Sequence, residues 1–181
     1  MDDEEPLIRL VDEGRLGQSS ESRGRERLLQ HLAEEGASLV GTLLDLAERE
    51  SVVTVRTSAG RAHHGVVAVV AGDFFVIRSD TGQRTYLRTE VVTTVRPHRR
   101  ERHQPASGDR TPPLDLFLGE ALARAASGRP RVVVVTLGSD VVAGDLLATG
   151  TDVVTVRLDG DARSLCYVAV NGIAEVTFER S

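Results

Sequence analysis

Residues 55–78 read "VRTSAGRAHHGVVAVVAGDFFVIR", and residues 134–157 read "VVTLGSDVVAGDLLATGTDVVTVR". At an offset of 79 and without a gap, Val53/Val132, Val55/Val134, Thr57/Thr136, Gly65/Gly144, Asp73/Asp152, Arg78/Arg157 and Arg84/Arg163 are identical. Each stretch carries short valine-rich runs punctuated by Gly, Asp and Ser. Valine is stiff at its first side-chain torsion and packs well on a pleated surface, so both stretches predict strands. A glycine inside a strand marks a sharp bend or a close backbone approach, which makes Gly65 and Gly144 the expected hinges of two bent second strands. Asp73 and Asp152 stand where a turn enters the third strand, and their carboxylates can accept from nearby backbone N–H groups.

Around the first stretch the pattern predicts five strands: one about Val53–Arg56, one over 62–71, then "FFVIR", "RTYLR" and "VVTTV". No crossover helix fits between them, so the sheet is expected to be antiparallel. The second stretch continues likewise through "RVVVVTL", "VVAGDLLA", "DVVTVRL", "SLCYVAV" and "IAEVTFE". Each set of strands is preceded by helical spacing. From Arg25 to Glu50 the apolar residues, among them Leu28, Leu32, Leu39, Leu43 and Leu46, fall on one face, with Gly36 placed to divide the helix. From 114 on, Leu114, Phe117, Leu118, Ala121, Leu122 and Ala125 share a face that ends near Gly128.

The expected fold is therefore mainly β with helices, two tandem small barrels that are each a helix followed by five bent antiparallel strands. The expected organisation is a mobile acidic N-terminus (1–24), a first unit (25–97), a basic Pro-containing linker (98–113) and a second unit (114–181). The repeat reads as a tandem duplication.

A helix followed by such strands resembles the Sm-like (LSm) family, or more generally SH3-like barrels. The quoted residues are Gly65 with Asp73 and Gly144 with Asp152 for a first motif. Leu87-Arg88-Thr89 and Val170-Asn171-Gly172 stand for a second. The resemblance implies edge-to-edge assembly and, in its RNA-binding members, an asparagine four residues after the aspartate. Ile77 and Val156 occupy those positions here. The family's arginine-glycine corner is split as well, so its way of gripping RNA is intact in neither half. A fold shared with a family does not carry that family's function over.

Charge narrows the function further. The 181 residues carry a net charge of −5 and no lysine. Residues 1–50 hold 13 acids against 6 arginines, whereas 51–97 hold 3 acids against 6 arginines, so the basic part is central. Arg56, Arg61, Arg78 and Arg88 of the first unit, with Arg96, Arg99, Arg100 and Arg102 running into the linker, form the candidate nucleic-acid-binding set. Arginine forks suit phosphate. Stacking aromatics are few, with Phe74, Phe75 and Tyr86 at hand.

His63 and His64 are neighbours in a strand and so point to opposite faces, unable to share one metal. The single Cys166 falls in an apolar strand, as a small core hydrophobe does. No catalytic triad, nucleotide loop or carboxylate pair stands out. The acidic start lacks the basic-then-apolar order of a signal peptide, and no run is long enough to span a bilayer. The sequence predicts a cytoplasmic non-enzyme without cofactor, metal or membrane, whose partner is another protein or a second copy of itself, with RNA as the alternative.

Overall fold

A computed structural model of the chain describes residues 28, 31, 35–98, 108, 110–160 and 163–179. The expected N-terminus (1–24) and Arg99, Arg100 and Arg102 lie outside the described residues. Leu28, His31 and Glu35 are helical, Gly36 sits in a turn, and helix α1 spans Leu39–Glu48. Ser38 caps α1, its hydroxyl accepting from the Gly41 N–H at 2.9 Å, which explains why the apolar helical spacing is interrupted at this point.

Strands β1 (Val52–Thr57), β2 (Ala62–Val70), β3 (Phe74–Arg78), β4 (Arg84–Arg88) and β5 (Val92–Pro97) follow, with a one-turn helix at Thr89–Val91 before β5. Helix α2 spans Leu118–Ala126. After it come β6 (Arg131–Thr136), β7 (Val141–Thr149), β8 (Val153–Leu158), β9 (Leu165–Ala169), a second one-turn helix at Val170–Gly172, and β10 (Ile173–Phe178). All ten strands join one antiparallel sheet in the order β5-β1-β2-β3-β4-β10-β6-β7-β8-β9.

This corrects the expectation of two tandem barrels. Among the described residues the chain forms a single open sheet of ten strands with α1 and α2 as its longer helices, and β4 pairs directly with β10. The reason is visible in β3. Phe74 and Val76 pack into one core with Leu118, Leu122, Val132, Val154 and Val176, while Phe75 and Ile77 pack into another with Leu43, Val53, Val55 and Leu87. The strand is thus buried on both faces, as a continuous apolar run requires. Fully burying each large apolar side chain contributes about 1.5–3 kcal/mol. Two self-contained barrels would expose Phe74 and Val76, and the merged sheet covers them.

A second correction concerns the start of α2. Leu114 is not helical but bridges Ala71 in parallel, Leu116 accepts the Gly72 N–H at 3.0 Å, and the helix begins at Leu118. Glu120 fixes that boundary because its carboxylate accepts the Phe117 N–H at 3.0 Å. The segment before α2 therefore ties the second half to the first.

The glycines stand where the sequence places them. Gly65 and Gly144 lie inside β2 and β7, opposite Val53 and Val132. β2 pairs with β1 through residues 62–66 and with β3 through 66–70, so Gly65 sits where the strand passes from one neighbour to the next. A Cβ at Gly65 would lie 2.2 Å from the Arg78 carbonyl oxygen, and one at Gly144 would lie 1.9 Å from that of Arg157.

Candidate functional site at the sheet edges and the inner junction

Among the described residues the sheet has one interior junction between its halves and two outer edges. At the junction, β4 and β10 pair with Leu87 opposite Glu175, Tyr86 opposite Val176, Thr85 opposite Thr177 and Arg84 opposite Phe178. Successive side chains of a strand alternate between faces, so the two sides of this ladder serve different cores. On one side the ring of Tyr86 stacks on Phe74 at 5.5 Å between centroids and meets Phe178 edge-on at 4.9 Å. On the other, the hydroxyls of Thr85 and Thr177 are 3.0 Å apart.

Polar groups flank both faces of the junction at its Leu87–Glu175 end. Asp73, placed by the turn into β3, receives the Leu118 N–H on Oδ1 at 2.7 Å and the Arg88 Nη1 on Oδ2 at 2.9 Å. An acidic side chain at the first turn of α2 also complements the helix dipole. Arg88 then donates from Nη2 to the Val170 carbonyl at 2.8 Å, so one guanidinium spans both halves. Replacing Arg88 by methionine keeps the stem and removes these charged bonds. A loss of roughly 1.5–3 kcal/mol is expected in thermal unfolding, with no change in strand content by circular dichroism.

At the same end of the ladder but on the face of Leu87, its pairing partner, Glu175 is 1% exposed. The His63 ring donates from Nε2 to Oε2 at 2.6 Å, and the Arg61 Nε lies 2.6 Å from Oε1 as an ion pair whose N–H points too far off axis to be a hydrogen bond. His64 faces the other way, toward Thr54 and the His98 ring, so the two histidines diverge as strand geometry demands.

The arginines predicted to bind nucleic acid separate accordingly. Arg88 is bound to Asp73 and Arg61 to Glu175. Arg56, Arg78 and Arg96 are exposed, and the registers place them on the outer face shared by β5, β1, β2 and β3. None of the candidate stacking aromatics serves that face: Phe74 and Phe75 are buried, and Tyr86 is packed in the junction.

The sequence predicts assembly through strand edges but does not tell which strands form them. Among the described residues, β5 and β9 each pair with one neighbour only. β9 presents Tyr167, 67% exposed, and Leu165, 45% exposed, while Leu39 beside β5 is 38% exposed. The alternation in "SLCYVAV" holds that signal, since Leu165 and Tyr167 fall on the face opposite Cys166 and Val168. Only the sheet order tells that this face belongs to an edge. Among the described residues no three His, Cys, Asp or Glu side chains could hold a metal, and no helix is long and apolar enough to cross a membrane. No protein-family model, curated protein or solved structure matches this chain.

Proposed function

We propose that this chain is a non-enzymatic assembly protein that acts by pairing its outer strands with other polypeptides. The observation that carries the reading is β9, an edge strand whose outer side has no partner among the described residues, with Tyr167 and Leu165 exposed side by side on one face. An unpaired strand offers a row of N–H and C=O groups, and chains that do not use such an edge usually blunt it with charge. The side chains of β9, "LCYVA", carry none. Kinship with Sm-like proteins is part of the same proposal, supported by Gly65 and Gly144 inside the second strand of each half and by Asp73 at the turn into β3.

Phosphate binding by Arg56, Arg78 and Arg96 is the weaker reading, because two of the arginines first grouped with them are spent on carboxylates and no aromatic accompanies them. Tyr167→Glu tests the assembly reading at a site that is already solvent-facing. Light scattering after size exclusion, together with capture from the host's own extract, should show protein association by the natural chain that the variant loses at least tenfold. A natural chain that stays monomeric and captures no protein, or a variant that associates equally well, overturns the proposal.

A further inference from the structure

We infer that the partner at β9 is β5 of a second copy of this chain, added in the register that β4 and β10 already use inside it. The inference rests on the assembly reading and names its occupant. Within the sheet, β1 to β5 are ordered β5-β1-β2-β3-β4 and β6 to β10 are ordered β10-β6-β7-β8-β9. The two halves match strand for strand: Val53 opposite Pro97 corresponds to Val132 opposite Phe178, and Phe74 opposite Arg88 to Val153 opposite Ala169. The interior junction joins the fourth strand of one half to the fifth strand of the other. The edges left over are the fourth strand of the second half, β9, and the fifth strand of the first, β5. They are the two sides of the same junction, unpaired among the described residues.

Carrying that register over by the matched positions sets Val168 opposite Thr94, Tyr167 opposite Val95, Cys166 opposite Arg96 and Leu165 opposite Pro97 of the second copy. Tyr167 then stands where Tyr86 stands inside the chain, against the half-buried Val95 that borders the first core. The helix contact carries over too. Leu118 gives its N–H to Asp73; the matching pair is Leu39, at the start of α1, and the exposed Asp152 of the other copy. Ser38 already binds the Gly41 N–H, which leaves the first amide of α1 to such an acceptor.

The differences between the two junctions set their strengths. His98 donates to Val52, so the alternate backbone nitrogens of β5 at 95 and 97 turn toward the free edge; Val95 has an N–H to give there and Pro97 has none. Thr94 takes the place of Glu175, so no buried charge needs a partner. The interior junction also gains from the linker, which holds its two sides at high effective concentration. The contact between copies is therefore weaker and depends on protein concentration. Its two sides differ, so it propagates head to tail, into a closed ring or an open chain according to the rotation per copy.

Cys166 is the chain's single cysteine, and its place opposite Arg96 supplies the test. The counterparts of these two residues, Thr85 and Thr177, have oxygens 3.0 Å apart, within reach of a disulfide. The natural chain, carrying Cys166, is mixed with an Arg96→Cys, Cys166→Ser chain and oxidised with diamide; an Arg78→Cys, Cys166→Ser chain, with its cysteine exposed away from the edge, is the control. The disulfide from the thiol introduced at position 96 to Cys166 should form at least tenfold faster than the one from position 78. Light scattering of the natural chain should also show mass rising with concentration. Equal rates, a product dominated by natural chains joined through Cys166 alone, or a constant monomer mass at high concentration overturns the second copy as occupant. If Tyr167→Glu still abolishes capture of a different protein under that outcome, the assembly reading stands and only its occupant changes.

Discussion

Gly144→Ala is expected to cost about 3 kcal/mol or more of folding free energy, lowering the melting temperature by roughly 6–12 °C for a chain of this length. Two effects add. The φ of Gly144 is +156°, a conformation that side-chain-bearing residues rarely adopt, and the new Cβ would lie 1.9 Å from the Arg157 carbonyl oxygen. That oxygen belongs to backbone in the neighbouring strand β8, so the clash is relieved only by separating the two strands, and not by turning a flexible side chain aside. Gly65→Ala meets the same obstacle at Arg78 and should behave alike. Gly128→Ala is the contrast, since its Cβ would meet the nearest atom at an ordinary 3.6 Å, and it should change stability by less than about 0.5 kcal/mol. Chemical denaturation of the three variants decides the matter; a Gly144→Ala chain as stable as the Gly128→Ala chain would mean that the bend does not need glycine.

The legibility of these glycines and the illegibility of the junction have one cause. A strand's period, its bends and its turns are local, and the residues that make them stand next to one another in the sequence. Val53, Val55, Gly65 and Asp73 announce their roles within a few positions. Which strand pairs with which across the duplication is not local, and the equal units invite the assumption that each closes on itself. One clue lies in composition. The run Phe74-Phe75-Val76-Ile77 is apolar throughout, while its counterpart Val153-Val154-Thr155-Val156 admits a threonine at 155, so β3 reads as covered on both faces and β8 on one. Phe74 and Phe75 invite a reading as stacking platforms for bases; the structure spends each on a different core. Glu175 offers no such clue. A carboxylate in "IAEVTF" reads as the solvent side of an edge strand, and only β4 alongside it, with His63 and Arg61 brought round by β2, turns that position inward.

This inward carboxylate leads to the second large effect. In an Arg61→Ala, His63→Ala double variant Glu175 stays buried with neither partner, and about 3–5 kcal/mol of stability should be lost, because an uncompensated buried charge costs more than the pair contributed. Arg61→Ala alone should cost about 1 kcal/mol or less, since Arg61 is 46% exposed and water can take its place. Adding Glu175→Leu to the double variant should restore most of the loss, as an apolar side chain of similar size suits a site already lined by Leu87 and the first core. Urea denaturation of the three chains separates the explanations. If the triple variant remained as unstable as the double, the loss would lie in packing around residues 61 and 63 and not in the charge of Glu175. Recovery would instead identify the ion pair as a feature of a permanent junction. The matching place on the β5 edge is held by Thr94, so the contact proposed there would form and break without stranding a carboxylate.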